Sequence, residues 1–110
     1  MKLLVCGGRD YRDWETLYRV LDEYLDRTDL LIHGGAAGAD VMAGDWAAHR
    51  GVHVATVLAQ WDRYGKRAGY LRNAAMLRLA PDMVIAFPGG KGTRNMVNLT
   101  REAGIELIEI

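Results

Sequence analysis

This sequence of 110 residues contains one cysteine, two prolines and one phenylalanine, and its basic and acidic residues are equal in number, at 14 each. The lone cysteine, Cys6, excludes an internal disulfide and a cysteine-rich metal site, and it indicates a reducing compartment. The balanced charge provides no overall basic field, which disfavours nucleic acid as a partner. The apolar run before Gly7 is too short for a signal peptide, and no stretch is long enough to span a membrane. We therefore expect a cytoplasmic protein with no membrane contact, and we assign no metal and no cofactor.

Glycine, in contrast, is abundant and concentrated. Most of the 13 glycines follow three short apolar runs, in the segments 3–11, 30–40 and 84–93. Paired glycines after a buried strand let the backbone turn sharply and approach a ligand closely. A helix that begins at the same point directs free N–H groups toward the ligand, which favours phosphate. This pattern predicts a phosphate-binding α/β domain.

Apolar runs and helical periodicities alternate along the chain. Strands are predicted at residues 2–6, 30–33, 53–58, 83–87 and 106–110. Helices are predicted from Asp13 to near Arg27 and at residues 38–50, 70–79 and 93–103, with 60–69 as a loop. Such alternation implies parallel strands joined by right-handed crossovers. We expect one three-layer α/β domain over residues 1–110, with a mainly parallel five-stranded sheet in the order 3-2-1-4-5.

That strand order places a crevice at the carboxyl ends of the first and fourth strands, where the chain reverses direction. The first and third glycine loops meet there, and the second lies beside them on the adjacent strand. We therefore expect ligand contacts from all three loops and from polar or aromatic residues near them. The predicted ligand-binding residues are Gly7, Gly8, Arg9, Asp10, Tyr11, Gly34, Gly35, Gly38, Asp40, Trp61, Arg72, Asn73, Pro88, Gly89, Gly90, Lys91, Gly92 and Thr93.

Several of these residues also have a purely structural interpretation. The third loop, with Lys91 and Thr93, has the features of a phosphate cradle without Walker A spacing, and the alternative is a tight turn with no ligand. Asp40 either caps its helix or accepts hydrogen bonds from a ribose. Arg72 either directs its guanidinium to a phosphate or lies on a solvated helix face. Trp61 covers the pocket, fills an interface or packs beneath its loop.

Three other residues, Trp14, Trp46 and Cys6, are expected to be structural. Trp14 and Trp46 fall on predicted helices and are assigned to the core, and Cys6 is assigned as a buried thiol. The three histidines do not have the spacing of metal ligands, and only His33 is expected near the pocket.

Together these residues resemble a known family. The motifs that carry the resemblance are the segments 7–13 and 33–40 with Trp46 and Ala47, then Trp61 with Gly65, Ala68, Gly69, Arg72, Asn73 and Met76, and finally 86–93 with Asn95, Met96 and Val97. They are similar, over essentially the whole chain, to the YspA/YpsA-related branch of the SLOG superfamily. The resemblance implies a Rossmann-like domain that binds nucleotides or nucleotide-derived signals, such as relatives of NAD or ADP-ribose. It suggests a sensor, a carrier or a sequestering module.

The same superfamily includes the LOG enzymes, which are nucleoside 5'-monophosphate phosphoribohydrolases. Their pattern has an arginine before the fourth strand and then Pro-Gly-Gly-x-Gly-Thr-x-x-Glu; here Arg72 and the segment 88–93 match, but Met96 stands at the glutamate position. The resemblance thus implies a second hypothesis, an N-glycosidase in which Arg72 and either Asp10 or Asp40 would be catalytic. A third is a domain that binds only other proteins. Because related folds often pair through their helices, a homo-oligomer is expected.

Overall fold

Five parallel strands form one sheet in a computed structural model that describes residues 1–110. The sheet order is β3-β2-β1-β4-β5. The strands are β1 (Lys2–Cys6), β2 (Leu30–His33), β3 (His53–Thr56), β4 (Met83–Ala86) and β5 (Glu106–Glu109). This architecture confirms the predicted three-layer α/β fold and its strand order.

Five helices connect these strands. They are α1 (Trp14–Asp22), α2 (Ala39–Arg50), α3 (Trp61–Tyr64), α4 (Ala68–Leu77) and α5 (Lys91–Glu102), with single 3-10 turns at Leu25–Arg27 and Gly65–Arg67. Four of them cover the two faces of the sheet, α1 and α2 on one face and α4 and α5 on the other. Asp13 caps α1, as predicted, by accepting hydrogen bonds from the backbone N–H of Thr16 at 3.1 Å and from its hydroxyl at 2.6 Å. None of these helices combines the length and the apolar character that a membrane span requires.

The alternating side chains of β1 face two separate cores. Leu3 and Val5 point toward α1 and α2 and pack in a cluster that contains the fully buried Trp46. Leu4 points the other way, toward α4 and α5, and packs in a cluster that contains Met96. Because the central strands are buried on both faces, they read as continuous apolar runs in the sequence.

The segment predicted as a loop at 60–69 is helical instead. It contains α3, a 3-10 turn and the start of α4 at Ala68. None of the residues of α3 is buried, so this short helix needs no apolar face and shows no periodicity. Other predicted boundaries are also wrong by a few residues, since α1 ends at Asp22, β3 at Thr56 and α4 at Leu77, and α5 begins at Lys91.

Trp14 is not a core residue, contrary to the prediction. Its side chain is 57% exposed, and its ring packs edge-on against Tyr18 with centroids 6.0 Å apart. The buried residues of α1 are Leu17, Val20 and Leu21, which face the sheet. Trp14 is the first residue of α1, one turn before Tyr18 and before the first buried residue, Leu17.

Candidate functional site

A cleft of about 750 Å³ opens at the carboxyl ends of β1 and β4, where the strand order reverses. Its walls come from the loop after β1, the loop after β4 and the segment from α3 to α4. The lining residues are Cys6, Gly7, Gly8, Arg9, Asp10, Tyr11, Arg12, Asp13, Ala36, Asp40, Trp61, Lys66, Gly69, Tyr70, Arg72, Asn73, Met76, Pro88, Gly89, Gly90, Lys91, Gly92 and Thr93.

The backbone of Gly8 joins the three glycine loops. Its N–H donates to the carbonyl of Pro88 at 2.9 Å, and its own carbonyl accepts from the N–H of Ala39, the first residue of α2, at 3.2 Å. Gly38 has a φ of +79°, and a Cβ added to it would collide with the carbonyl oxygen of Gly8. The loops therefore meet at one corner of the molecule through direct backbone contact.

All of the predicted ligand-binding residues line the cleft except Gly34, Gly35 and Gly38. Gly34 lies beneath the guanidinium of Arg72, and Gly35 lies against the side chain of Leu58. The second loop contributes Ala36 and Asp40 to the cleft instead of its glycines. These glycines allow close packing, of Gly34 and Gly35 against side chains and of Gly38 against the first loop.

Asp40 holds the second loop in place. Its Oδ2 accepts hydrogen bonds from the backbone N–H groups of Gly34 at 3.1 Å and Ala36 at 3.2 Å. The N-cap of α2 is Gly38, with no side-chain hydrogen bond, so Asp40 does not cap this helix. Burial raises the pKa of the Asp40 carboxyl above its usual range, while the two N–H donors and the nearby Arg72 act in the opposite direction.

Arg72 and Asn73 connect the second loop to the third. The Nη1 of Arg72 donates to the carbonyl of Gly34 at 2.7 Å, and its Nε donates to the Oδ1 of Asn73 at 3.0 Å. Asn73 is buried, and its Nδ2 donates to the carbonyl of Gly92 and to Oδ1 of Asn95. The guanidinium is thereby fixed in the cleft wall with its Nη2 free of these contacts, so Arg72 does not lie on a solvated helix face.

Basic side chains in the cleft have no carboxylate partners. Five basic residues (Arg9, Arg12, Lys66, Arg72 and Lys91) and three acidic ones (Asp10, Asp13 and Asp40) line it. The three ion pairs of the protein are Met1–Asp29, Arg50–Asp22 and Arg101–Glu109, all outside the cleft. In addition, no side chain caps α5, whose amino terminus adjoins the cleft at Gly90 and Lys91. The cleft is therefore electropositive although the whole chain is neutral.

The floor of the cleft contains Cys6, whose thiol is buried as predicted. Burial raises the pKa of Cys6 to about 12, so the thiol stays protonated at neutral pH and is a poor nucleophile. Met96, at the position where LOG enzymes have a glutamate, is fully buried in the core with Leu4 and Val84 and does not line the cleft.

His33 lies behind the second loop and does not line the cleft. Its Nδ1 accepts a hydrogen bond from the N–H of Gly35 at 2.9 Å, and its Nε2 is 3.3 Å from Oγ1 of Thr56. An imidazole that accepts from a backbone N–H must be neutral at that nitrogen. Burial, with the charge of Arg72 acting in the same direction, lowers the pKa of His33.

The free energy of unfolding is therefore expected to decrease as the pH falls below about 6.5, because the unfolded state binds the His33 proton more tightly. Urea titrations between pH 7.5 and 5 measure this dependence. His33→Asn, whose amide oxygen can accept from Gly35, should flatten it. His53→Asn, at an exposed site on β3, should retain the wild-type slope. Equal slopes for wild type and His33→Asn would contradict the assignment.

The lining residues that sequence reasoning missed include Lys66, Gly69 and Tyr70. With Asn73 and Met76 they follow the spacing of three and four that marks one face of a helix. The signal was thus present, but Lys66 and Gly69 fell within the segment 60–69, which was predicted as a loop. Cys6, Arg12, Asp13 and Ala36 were also missed; they adjoin the predicted loop residues in the sequence.

Comparisons with known proteins give both a family and a fold. The family described as "YAcAr: YspA, cpYpsA-related SLOG family" matches residues 1–64. The gene 61 protein of Mycobacterium phage D29 is 38% identical over 117 residues, covering 97% of this chain and 94% of the phage protein.

Two X-ray structures share the fold at low sequence identity. TM1055 has a TM-score of 0.76 at 16% identity, with 96% of this chain and 71% of that chain covered. DNA processing protein A (DprA) from Streptococcus pneumoniae has a TM-score of 0.58 at 16% identity, with 97% of this chain and 58% of that chain covered. At this identity the similarity establishes the Rossmann-like fold alone.

Proposed function

Since this chain belongs to the YspA and cpYpsA-related SLOG family, we propose that its cleft binds a nucleotide or a nucleotide-derived molecule without turnover. The ligand class comprises nucleoside phosphates and relatives of NAD or ADP-ribose. The protein would act as a sensor, a carrier or a sequestering module for this ligand.

The observation that carries the proposal is the set of five basic side chains that line the cleft without any ion pair. Unpaired cations held close together repel one another, and an anionic ligand relieves that repulsion. Arg72 and the uncapped start of α5 contribute fixed N–H donors on two sides of the same space. Phosphate groups match such donors in charge and in hydrogen-bonding capacity.

Hydrolysis of a nucleoside monophosphate has weaker support. A hydrolase needs a carboxylate beside the anomeric carbon, and Met96 occupies the corresponding position inside the core. The carboxylate of Asp40 is engaged by two backbone N–H groups. Asp10 remains as an exposed carboxylate in the lining, with no residue that orients it.

A thermal-shift screen tests the proposal. The panel comprises AMP, GMP, CMP, UMP, ADP, NAD, ADP-ribose and cyclic nucleotides. A ligand present at a hundred times its Kd should stabilise the protein by roughly 2.7 kcal/mol. For a domain of this size, that corresponds to a rise in Tm on the order of 10 °C. If no phosphate compound raises the Tm, the proposal is wrong and a protein-binding domain becomes the better hypothesis.

Two further measurements make the screen specific. Lys91→Gln removes an exposed cation from the cleft and should weaken binding by roughly 5-fold, whereas Arg94→Gln, on the same helix outside the cleft lining, should leave it unchanged. Chromatography of each binding ligand after incubation should show no free base. Release of base that Asp10→Asn abolishes would establish an N-glycosidase instead.

A further inference from the structure

Trp61 and Arg9 meet across the cleft. The guanidinium carbon of Arg9, in the loop after β1, lies 5.5 Å from the ring centroid of Trp61, at the start of α3. Both side chains line the cleft, and the Trp61 side chain is 47% exposed. The indole belongs to neither core cluster, so part of its surface is open to a ligand in the cleft.

The indole of Trp61 also packs against α4. Its outer edge rests on α4, where a Cβ added to Gly69 would lie 3.3 Å from Cη2 of Trp61. The same added Cβ would lie 4.0 Å from Nη2 of Arg72, the guanidinium nitrogen left free in the cleft wall. Gly69 therefore lies between the indole and the guanidinium of Arg72, so the indole borders the basic part of the cleft.

The other two aromatic residues of the lining are less suited to contact a flat ligand. Tyr11 is half-buried, and its ring packs against Phe87 with centroids 5.3 Å apart. Tyr70 is about as exposed as Trp61, but no aromatic or cationic side chain stacks on its ring. Trp61 is the aromatic side chain that combines an exposed surface with contacts on two sides.

We propose that Trp61 is the stacking platform for the base of the bound nucleotide, at the position that the planar guanidinium of Arg9 covers in the structure. This inference rests on the proposed function, since it assigns one end of the same cleft to the base. A guanidinium and a nucleobase are both planar and both stack on an indole, so Arg9 marks the position available to the base. Arg9 would then move from the ring to the phosphates, which attract its charge more strongly.

Calorimetric titrations of AMP and ribose 5-phosphate test the assignment, because these two probes differ only by the base. Stacking of one base predicts that AMP binds about 5- to 100-fold more tightly than ribose 5-phosphate. Trp61→Ala should remove this difference by weakening AMP alone. Trp61→Phe, which keeps an aromatic ring, should retain part of it.

Trp14→Ala is the matched control, since Trp14 is similarly exposed but lies outside the cleft lining. It should leave both affinities unchanged. If AMP and ribose 5-phosphate bind equally, or if Trp61→Ala behaves like Trp14→Ala, the base platform is wrong while phosphate binding in the cleft stands. If neither probe binds and the nucleotide panel also fails, the proposed function is wrong and the inference with it.

Discussion

Met96→Glu is expected to lower the free energy of unfolding by about 3 kcal/mol or more. Met96 is fully buried among the apolar side chains that α4 and α5 pack against the sheet. The new carboxyl would therefore be shielded from water and surrounded by apolar side chains that offer it no hydrogen bond. Burial would raise the pKa of the new carboxyl, and the loss of stability should therefore be smaller at pH 5 than at pH 8. Urea titrations at the two pH values measure both effects.

Two variants define the comparison for Met96→Glu. Met96→Leu keeps volume and polarity and should cost less than about 1.5 kcal/mol. Asn98→Glu adds a carboxylate at an exposed position of α5 and should change stability by at most about 0.5 kcal/mol.

This substitution also tests the enzymatic alternative, because it restores the residue of the LOG pattern. Since position 96 does not line the cleft, Met96→Glu should not release free base from AMP. A Met96→Glu variant that is as stable as wild type, or one that hydrolyses AMP, would show that position 96 does reach the cleft.

Gly38→Ala is expected to lower the free energy of unfolding by about 3 kcal/mol, from two causes. The left-handed backbone at Gly38, with φ of +79°, costs a residue with a side chain about 1–2 kcal/mol. The added Cβ would also collide with the carbonyl oxygen of Gly8, and relieving that contact by a shift of the loops costs a further amount of about 1–3 kcal/mol. Urea denaturation measures the total.

Gly51→Ala separates the two causes. Gly51 also has a positive φ, of +73°, at the end of α2, but a Cβ added there has no atom within 4 Å. This variant should lose only the backbone contribution, about 1 kcal/mol. If Gly38→Ala and Gly51→Ala lower the free energy of unfolding equally, the first and second loops are not in close contact at Gly8. Gly38→Ala should further reduce any nucleotide-induced rise in Tm, whereas Gly51→Ala should not.

A parallel sheet covered on both faces was predictable because each central strand is a continuous apolar run followed by a glycine loop. Leu3, Leu4 and Val5 show why: neighbouring residues face opposite cores, and the run shows that both faces are covered by helices. The helices were less predictable, since α3 has no buried residue and Trp14, the first residue of α1, is exposed. Where a helix lacks an apolar stripe, periodicity carries no information.

The composition of the cleft was predictable for the first and third loops, which follow β1 and β4 directly. The position of Asp40 was not, because both hypotheses for it, a helix cap and a ribose contact, depend on where the carboxylate points. The structure shows that it accepts hydrogen bonds from Gly34 and Ala36 within its own loop. Likewise, the sequence placed Arg72 near the cleft, but only the folded chain shows that Gly34 and Asn73 fix its guanidinium.

The order of residues alone determined the class of fold, because burial patterns and glycine turns are local signals; the strand order and the edge at which the loops converge were then expected from the usual topology of that class. Tertiary packing decided which side chains face the cleft, which cations remain without partners and which position of α5 is buried in the core. These properties depend on distances between residues far apart in the chain. Met96, for example, lies three residues after Thr93, yet only Thr93 faces the cleft, since successive turns of α5 are divided between the cleft and the core.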